Sequence, residues 1–90
     1  MKRLHLQISG RVQGVGYRYF TKEEAFKAGI SGWVMNLPDG RVEAEIQGEE
    51  NTLLEFISIL RKGPPLGFVR DIVKYDLEVE HSEDLFLVRY

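Results

Sequence analysis

The 90-residue sequence contains no cysteine, which excludes a disulfide scaffold, a thiol nucleophile and any zinc or iron–sulfur site built on cysteine. It has only two histidines, His5 and His81, which are far apart and lack the spacing of metal ligands. Its uncharged apolar runs are only a few residues long, so no segment predicts a membrane span. The N-terminus lacks the apolar stretch and cleavage site of a signal peptide. We therefore expect a soluble, reduced, cytoplasmic protein.

The chain also lacks the positive charge of a protein that binds nucleic acid mainly through phosphates. Its 12 Lys and Arg are outnumbered by 14 Asp and Glu, which gives a formal net charge of -2 at pH 7. Hydrophobic residues make up 43% and charged residues 29%, a balance typical of globular domains that argues against disorder. A chain of this length fits one hydrophobic core, so we expect residues 1–90 to form a single domain.

Hydrophobic periodicity and turn residues predict seven secondary-structure elements. Five strands are predicted from apolar alternation or short apolar runs: residues 3–12, 30–37, 42–46, 68–80 and 85–90. Two helices are predicted, over residues 17–28 and from a cap at Glu50 or Asn51 to the glycine and prolines at 63–65. This order predicts an α+β ferredoxin-like sandwich with an added C-terminal strand, its two helices packed on one face of an antiparallel sheet. Many unrelated activities use this fold, so function has to be argued from a site.

The most informative stretch is residues 10–18, between the end of the first strand and the start of the first helix. Unpaired backbone N–H groups and the helix dipole at such a junction favour an anion. Gly14 and Gly16 can adopt the positive φ that aims successive N–H groups into one concavity. Arg18 can reach the same place with a guanidinium suited to phosphate oxygens. A lone glycine motif is a weak signal, however, and by itself it favours a plain turn with a solvated arginine.

Few other residues suggest chemistry. Asn36 ends the second predicted strand, where its amide can hold a water, but its position alone favours a role in the turn at residues 37–40. We expect His5 and His81 at the surface and the acidic residues 78–84 in a solvated turn. Nothing in the sequence marks a carboxylate pair for acid–base catalysis.

Three motifs, taken together and in order, resemble those of the acylphosphatases. They are GRVQGVGYR at residues 10–18, GWVMN at 32–36 followed by DGRVE at 39–43, and FLVRY at 86–90. The resemblance covers essentially the whole chain, and three ordered motifs are far more specific than one. Met35 departs from the pattern because many relatives carry Arg or Lys there, and Tyr17 replaces a commoner Phe. We expect neither departure to damage the chemistry.

The resemblance implies hydrolysis of carboxyl–phosphate anhydrides to a carboxylate and inorganic phosphate, with neither a metal nor a cofactor. We then expect the phosphoryl group to be bound by main-chain N–H groups of the loop and by the guanidinium of Arg18. The phosphate-binding residues are Gln13, Gly14, Val15, Gly16, Tyr17 and Arg18. Asn36 is expected to orient the attacking water. The implied partners are a small-molecule acyl phosphate and inorganic phosphate, with no nucleic acid and no membrane, and we expect a monomer. Because carboxylate is a good leaving group, positioning and electrostatics suffice without histidine or cysteine.

Two other functions stay open from the sequence. The RNA recognition motif shares the order of elements, and residues 16–20 faintly resemble its aromatic motif. That motif has to lie on a central strand where bases stack, whereas the third strand here has no aromatic residue. The other function is a regulatory domain that binds an anion without turnover, akin to the acylphosphatase-like module of larger carbamoyl-transferring maturation enzymes. A chain of 90 residues fits a stand-alone enzyme better.

Overall fold

Two helices pack on one face of a five-stranded sheet, as the computed structural model of residues 1–90 shows. The elements in chain order are β1 (Lys2–Arg11), α1 (Tyr17–Ala28), β2 (Ser31–Asn36), β3 (Val42–Gly48), α2 (Glu50–Lys62), β4 (Phe68–Leu77) and β5 (Phe86–Arg89). The strand order in the sheet is β4-β1-β3-β2-β5. The predicted ferredoxin-like fold is therefore confirmed, with β5 added at one edge.

The sheet is mixed, so the prediction of an antiparallel sheet is wrong for its last strand. The pairs β1–β3, β1–β4 and β2–β3 are antiparallel, but β5 runs parallel to β2, with Gly32 opposite Phe86 and Met35 opposite Arg89. The reason is topological. β4 ends at the end of the sheet where β2 begins, and residues 78–85 cross along that end. A strand that starts there has to run in the same direction as β2.

The core lies between the helices and the inward face of the sheet. β1 and β3 alternate as predicted, so every second side chain is buried against the helices: Leu4, Leu6, Ile8, Val42, Ala44 and Ile46. α2 buries a stripe of four apolar residues at helical spacing: Leu53, Phe56, Ile57 and Leu60. α1 buries Tyr17, Thr21 and Ala25. At about 1.5–3 kcal/mol for each large aliphatic or aromatic side chain removed from water, this layer is the main source of stability.

β4 places its apolar stripe on the outer face of the sheet. Tyr75 lies opposite His5 in β1 and, with Val73 and Leu77, points away from the helices and is exposed. Only Ile72, opposite Ile8, is buried in the core from this strand. The alternation of apolar residues did not predict which face of β4 packs against the helices, because Ile72 and Val73 are adjacent and both apolar. The strand also ends at Leu77, three residues before the predicted end at residue 80.

The acidic segment after β4 lies against the outer face, which corrects the expectation of a fully solvated turn. Arg3 Nη1 donates to Glu83 Oε1 at 2.6 Å, and the Glu83 side chain is only 20% exposed. The Gln47 side chain exchanges two hydrogen bonds with the main chain of Glu80, at 2.9 and 2.7 Å. These contacts fix the path of the chain from β4 to β5.

His5 is less exposed than expected, whereas His81 is at the surface as predicted. The His5 side chain is 19% exposed, with its two ring nitrogens 3.2 Å from carboxylate oxygens of Glu43 and Glu45. Its ring also lies edge-on to Trp33, with a centroid separation of 6.2 Å. His5 therefore belongs to a packed polar cluster on the outer face of the sheet.

Candidate active site

A single cleft of about 320 Å³ brings together most of the residues that the sequence singled out. It lies where the β1–α1 loop, the end of β2 and the end of β5 meet. Its walls include Gly14, Gly16, Tyr17, Arg18 and Asn36. Gln13 and Val15, which were also expected to bind phosphate, do not line it.

The β1–α1 loop has the predicted backbone conformation at both glycines. Gly14 has φ 74° and Gly16 has φ 78°, in the left-handed region that residues with a Cβ rarely adopt. Gly16 is also the residue that caps the N-terminus of α1. A Cβ at either position would meet no atom within 4 Å, so the demand for glycine is conformational rather than steric.

A continuous run of main-chain donors faces no protein acceptor. The N–H groups of residues 13–19 make no hydrogen bond to main-chain or side-chain oxygens. The first main-chain bond at the start of α1 runs from Phe20 N to Gly16 O at 2.9 Å, which leaves the first helical turn free. No acidic side chain lies in that turn. Free donors at the positive end of a helix form a site for an anion.

The guanidinium of Arg18 is held against the end of the chain. Its Nη1 donates to the carbonyl oxygen of Arg89 at 3.3 Å, and its Cζ lies 4.5 Å from the centroid of the Tyr90 ring. No carboxylate forms an ion pair with Arg18. Its positive charge is therefore oriented by a carbonyl and an aromatic ring and remains available to a bound anion.

Asn36 carries a buried polar atom without a partner. Its Oδ1 is out of contact with solvent and accepts no hydrogen bond from the protein. Such an atom costs about 1–3 kcal/mol and calls for an explanation. The adjacent turn is closed by main-chain bonds from Leu37 N to Arg41 O at 2.8 Å and from Gly40 N to Leu37 O at 3.2 Å. The turn therefore does not use the Asn36 side chain.

Two side chains join the β1–α1 loop and the start of α1 to neighbouring elements. Gln13 Nε2 donates to the carbonyl oxygens of Leu37 at 2.8 Å and Arg41 at 2.9 Å, which joins the loop to the β2–β3 hairpin. The buried Tyr17 hydroxyl donates to the carbonyl oxygen of Leu60 in α2 at 2.8 Å. Burial raises the pKa of the Tyr17 phenol, so it stays neutral at physiological pH. Gln13 and Tyr17 thus position the loop.

The sequence did not predict several residues of the cleft, among them Lys22 and Tyr90. Lys22 follows Arg18 by four residues in α1, and that spacing places both cationic side chains on one face of a helix. This signal was available in the sequence. Tyr90 reaches the cleft because β5 pairs in parallel with β2, which the sequence did not indicate.

No group of three or more His, Cys, Asp or Glu side chains is arranged to hold a metal ion. Neither helix has both the length and the apolar character needed to cross a bilayer.

Comparisons with known proteins agree on one family. The family model described as Acylphosphatase matches residues 4–88. An acylphosphatase of Archaeoglobus fulgidus is 49% identical over 90 residues, which is 100% of each chain. The crystal structure of acylphosphatase from Bacillus subtilis superposes with a TM-score of 0.95 at 39% identity, covering 100% of both chains. The structure of an acylphosphatase from Coxiella burnetii gives a TM-score of 0.92 at 33% identity, over 98% of this chain and 92% of that one.

Proposed function

This chain belongs to the acylphosphatase family and has its hydrolytic activity, and on that premise we propose which groups perform the reaction. The N–H groups of the β1–α1 loop and the Arg18 guanidinium bind the phosphoryl group of a small-molecule acyl phosphate. Asn36 orients the water that attacks phosphorus. Residues 1–90 act as one monomeric domain in the cytoplasm, without a nucleic-acid or membrane partner.

The reaction breaks the bond between phosphorus and the acyl oxygen. Water adds to phosphorus, and the acyl oxygen leaves with the bonding electron pair as a carboxylate. No Asp, Glu or His side chain lines the cleft, and the phosphoryl group itself takes the proton of the water. A stable leaving group needs no strong acid, and the task of the protein is to gather the anion and align the water.

Phosphoryl binding is supported by the free donors of the loop. The unpaired N–H groups of residues 13–19 lie at the N-terminal end of α1, and Arg18, whose guanidinium has no carboxylate partner, lines the cleft at the same end. Their partial and full positive charges are fixed before the substrate arrives, by the glycine conformations and by the contacts of Arg18 with Arg89 and Tyr90. Such preorganised donors stabilise the charge that spreads over the phosphoryl oxygens.

The single observation that carries the proposal is that Asn36, a residue in the wall of the same cleft as Arg18, keeps its amide oxygen without a hydrogen-bond partner. An anion-binding regulatory domain needs the loop and the arginine but has no use for a polar atom that is kept without a partner. A hydrolase needs an amide with no other partner to hold and orient the attacking water. Asn36 therefore favours turnover over mere binding.

The RNA-binding alternative loses its main support. Residues 17–20 begin α1 instead of a central strand, and the Tyr17 ring is buried in the core. The aromatic residues of this stretch therefore do not lie on a central strand, where the RNA-binding motif stacks bases.

The test is the hydrolysis of benzoyl phosphate by the wild type and by Arg18→Ala and Arg18→Lys. We expect both variants to lose on the order of 10²-fold in turnover and to bind inorganic phosphate more weakly, because Lys lacks the planar fork of Arg. Arg70→Lys is the matched control, since Arg70 is exposed on β4 and lines no part of the cleft. Exhaustive chelation of divalent ions should leave the rate unchanged. Near-wild-type turnover in Arg18→Lys would contradict the proposed role of the guanidinium.

A further inference from the structure

Lys22 lies beside the cleft without a partner of its own. It leaves the same face of α1 as Arg18, about 6 Å further along the helix axis. Its side chain makes no ion pair and no hydrogen bond to another side chain, whereas Lys27 on the same helix pairs with Glu24 at 3.2 Å. Lys22 is therefore a free cation at the edge of the site.

The side chains that line the cleft carry no negative charge to offset the two cations. None of its lining side chains is Asp or Glu. Under the proposed function, Arg18 and the loop N–H groups are occupied by the phosphoryl group. Lys22 then remains available to a second anionic group, one helical turn away.

A second cavity, of about 400 Å³, begins at Lys22 and continues along α1. Its walls are mainly apolar, with Phe26, Ile30 and Phe86 among them, but they also include Asp84. The carboxylate of Asp84 disfavours an anion that extends past Lys22. The favourable place for a second anion is therefore at the Lys22 ammonium itself, which limits the length of the acyl group that carries it.

We propose that Lys22 is a specificity residue that binds an anionic group on the acyl part of the substrate. The preferred substrates are then short acyl phosphates that carry a second carboxylate or phosphate. The inference rests on the proposed function, because it takes the phosphoryl group to be bound at Arg18. A neutral acyl group such as benzoyl leaves Lys22 unpaired.

The test compares benzoyl phosphate with its meta- and para-carboxylated derivatives. For each enzyme, the measured quantity is the ratio of kcat/KM for the carboxylated substrate to kcat/KM for plain benzoyl phosphate. Comparing this ratio between enzymes cancels the electronic effect of the added carboxylate on the leaving group. The enzymes are the wild type, Lys22→Gln, Lys22→Glu and the control Lys62→Gln, which removes an exposed lysine of α2 that forms no ion pair.

We expect the ratio to fall roughly 3-fold in Lys22→Gln and about 10-fold in Lys22→Glu, since an exposed ion pair contributes a few-fold and charge reversal adds repulsion. The change should lie in KM rather than kcat, because the distant anion is bound equally in the ground and transition states. Added salt should reduce the difference in this ratio between the wild type and the Lys22 variants. Lys62→Gln should leave the ratio at its wild-type value.

Two results would overturn the proposal. One is an unchanged ratio in both Lys22 variants. The other is an equal loss for all three substrates together with weaker inhibition by inorganic phosphate, which would assign Lys22 to the phosphoryl group. A failure of the proposed function gives a different result. In that case Arg18→Lys would hydrolyse benzoyl phosphate like the wild type, independently of the results with the Lys22 variants.

Discussion

The side-chain amide nitrogen of Gln13 lies 2.8 Å from the carbonyl oxygen of Leu37, the residue that follows Asn36. The same nitrogen also donates to the carbonyl oxygen of Arg41, across the β2–β3 hairpin, at 2.9 Å. One side chain outside the cleft thus fixes the distance between the anion-binding loop and the strand end that carries Asn36. This link helps to position the two halves of the site relative to each other.

Replacing Gln13 should therefore weaken both the fold and the reaction. Gln13→Ala removes two hydrogen bonds and should lower the free energy of unfolding by about 1–2 kcal/mol. Turnover should fall because the loop and Asn36 are no longer held in register. Gln13→Glu keeps the size of the side chain but cannot donate, so it should behave like Gln13→Ala in denaturant unfolding and kinetics. Full stability and activity in Gln13→Glu would show that the two hydrogen bonds do not perform this role.

Replacing Asn36 should separate catalysis from binding. Asn36→Ala should lower kcat on the order of 10²-fold, because the hydrogen bond to water matters mainly in the transition state. The inhibition constant of inorganic phosphate should change much less than in Arg18→Ala. Stability should be kept, since the variant removes a buried atom that has no partner. A variant that melts early but turns over normally would instead assign Asn36 a purely structural role, as for a lost cap.

Tyr17→Phe should affect stability without affecting chemistry. The hydroxyl donates to Leu60 O at 2.8 Å in the core, and its loss should cost about 1 kcal/mol. The loop backbone should keep its position because the ring stays buried. Denaturant unfolding and steady-state kinetics on the same preparation measure the two effects. A large fall in kcat with unchanged stability would mean that the phenol acts in the reaction.

Stability should decrease in acid through Glu45. Burial alone would raise the pKa of this carboxyl, but hydrogen bonds from Arg3 and His5 outweigh burial and hold the pKa below its usual value of 4.5. Because the folded pKa is the lower one, the stabilisation is complete above the unfolded pKa and is lost as pH falls through the folded pKa.

The free energy of unfolding should therefore decrease as the pH is lowered from about 5, and Glu45→Gln should flatten that decrease. Urea unfolding at a series of pH values measures it. Glu78→Gln, at an exposed position after β4, is the control and should keep the wild-type slope. An identical slope in Glu45→Gln and the wild type would contradict the assignment.

Much of the fold followed from local patterns. The bounds of α1 and the apolar stripe of α2 agree with the sequence prediction, because both depend on periodicity within a single element. The direction of β5 and the inward face of β4 did not follow, because both depend on how distant strands meet. The contact of Arg3 with Glu83, 80 residues away, is equally invisible to a local pattern.

The features of the site also divide into those that a local sequence pattern predicts and those that depend on the tertiary structure. The positive φ of Gly14 and Gly16 was predictable because it is a property of glycine in a strand–helix turn. The link from Gln13 to the β2–β3 hairpin and the unpartnered amide of Asn36 arise only when residues 13 and 36–41 are brought together by the sheet. Lys22 was predictable from the sequence, because it follows Arg18 by four residues in the same helix.

Hydrolysis of benzoyl phosphate in H₂¹⁸O tests the central claim most directly, namely that the cleft directs water onto a phosphorus atom held by Arg18 and the loop. Mass spectrometry of the two products shows which bond was broken. We predict that the heavy oxygen enters inorganic phosphate and that benzoate carries none above the uncatalysed background. Heavy oxygen in the benzoate would mean that water attacks the acyl carbon, and it would contradict the roles given to Arg18 and Asn36.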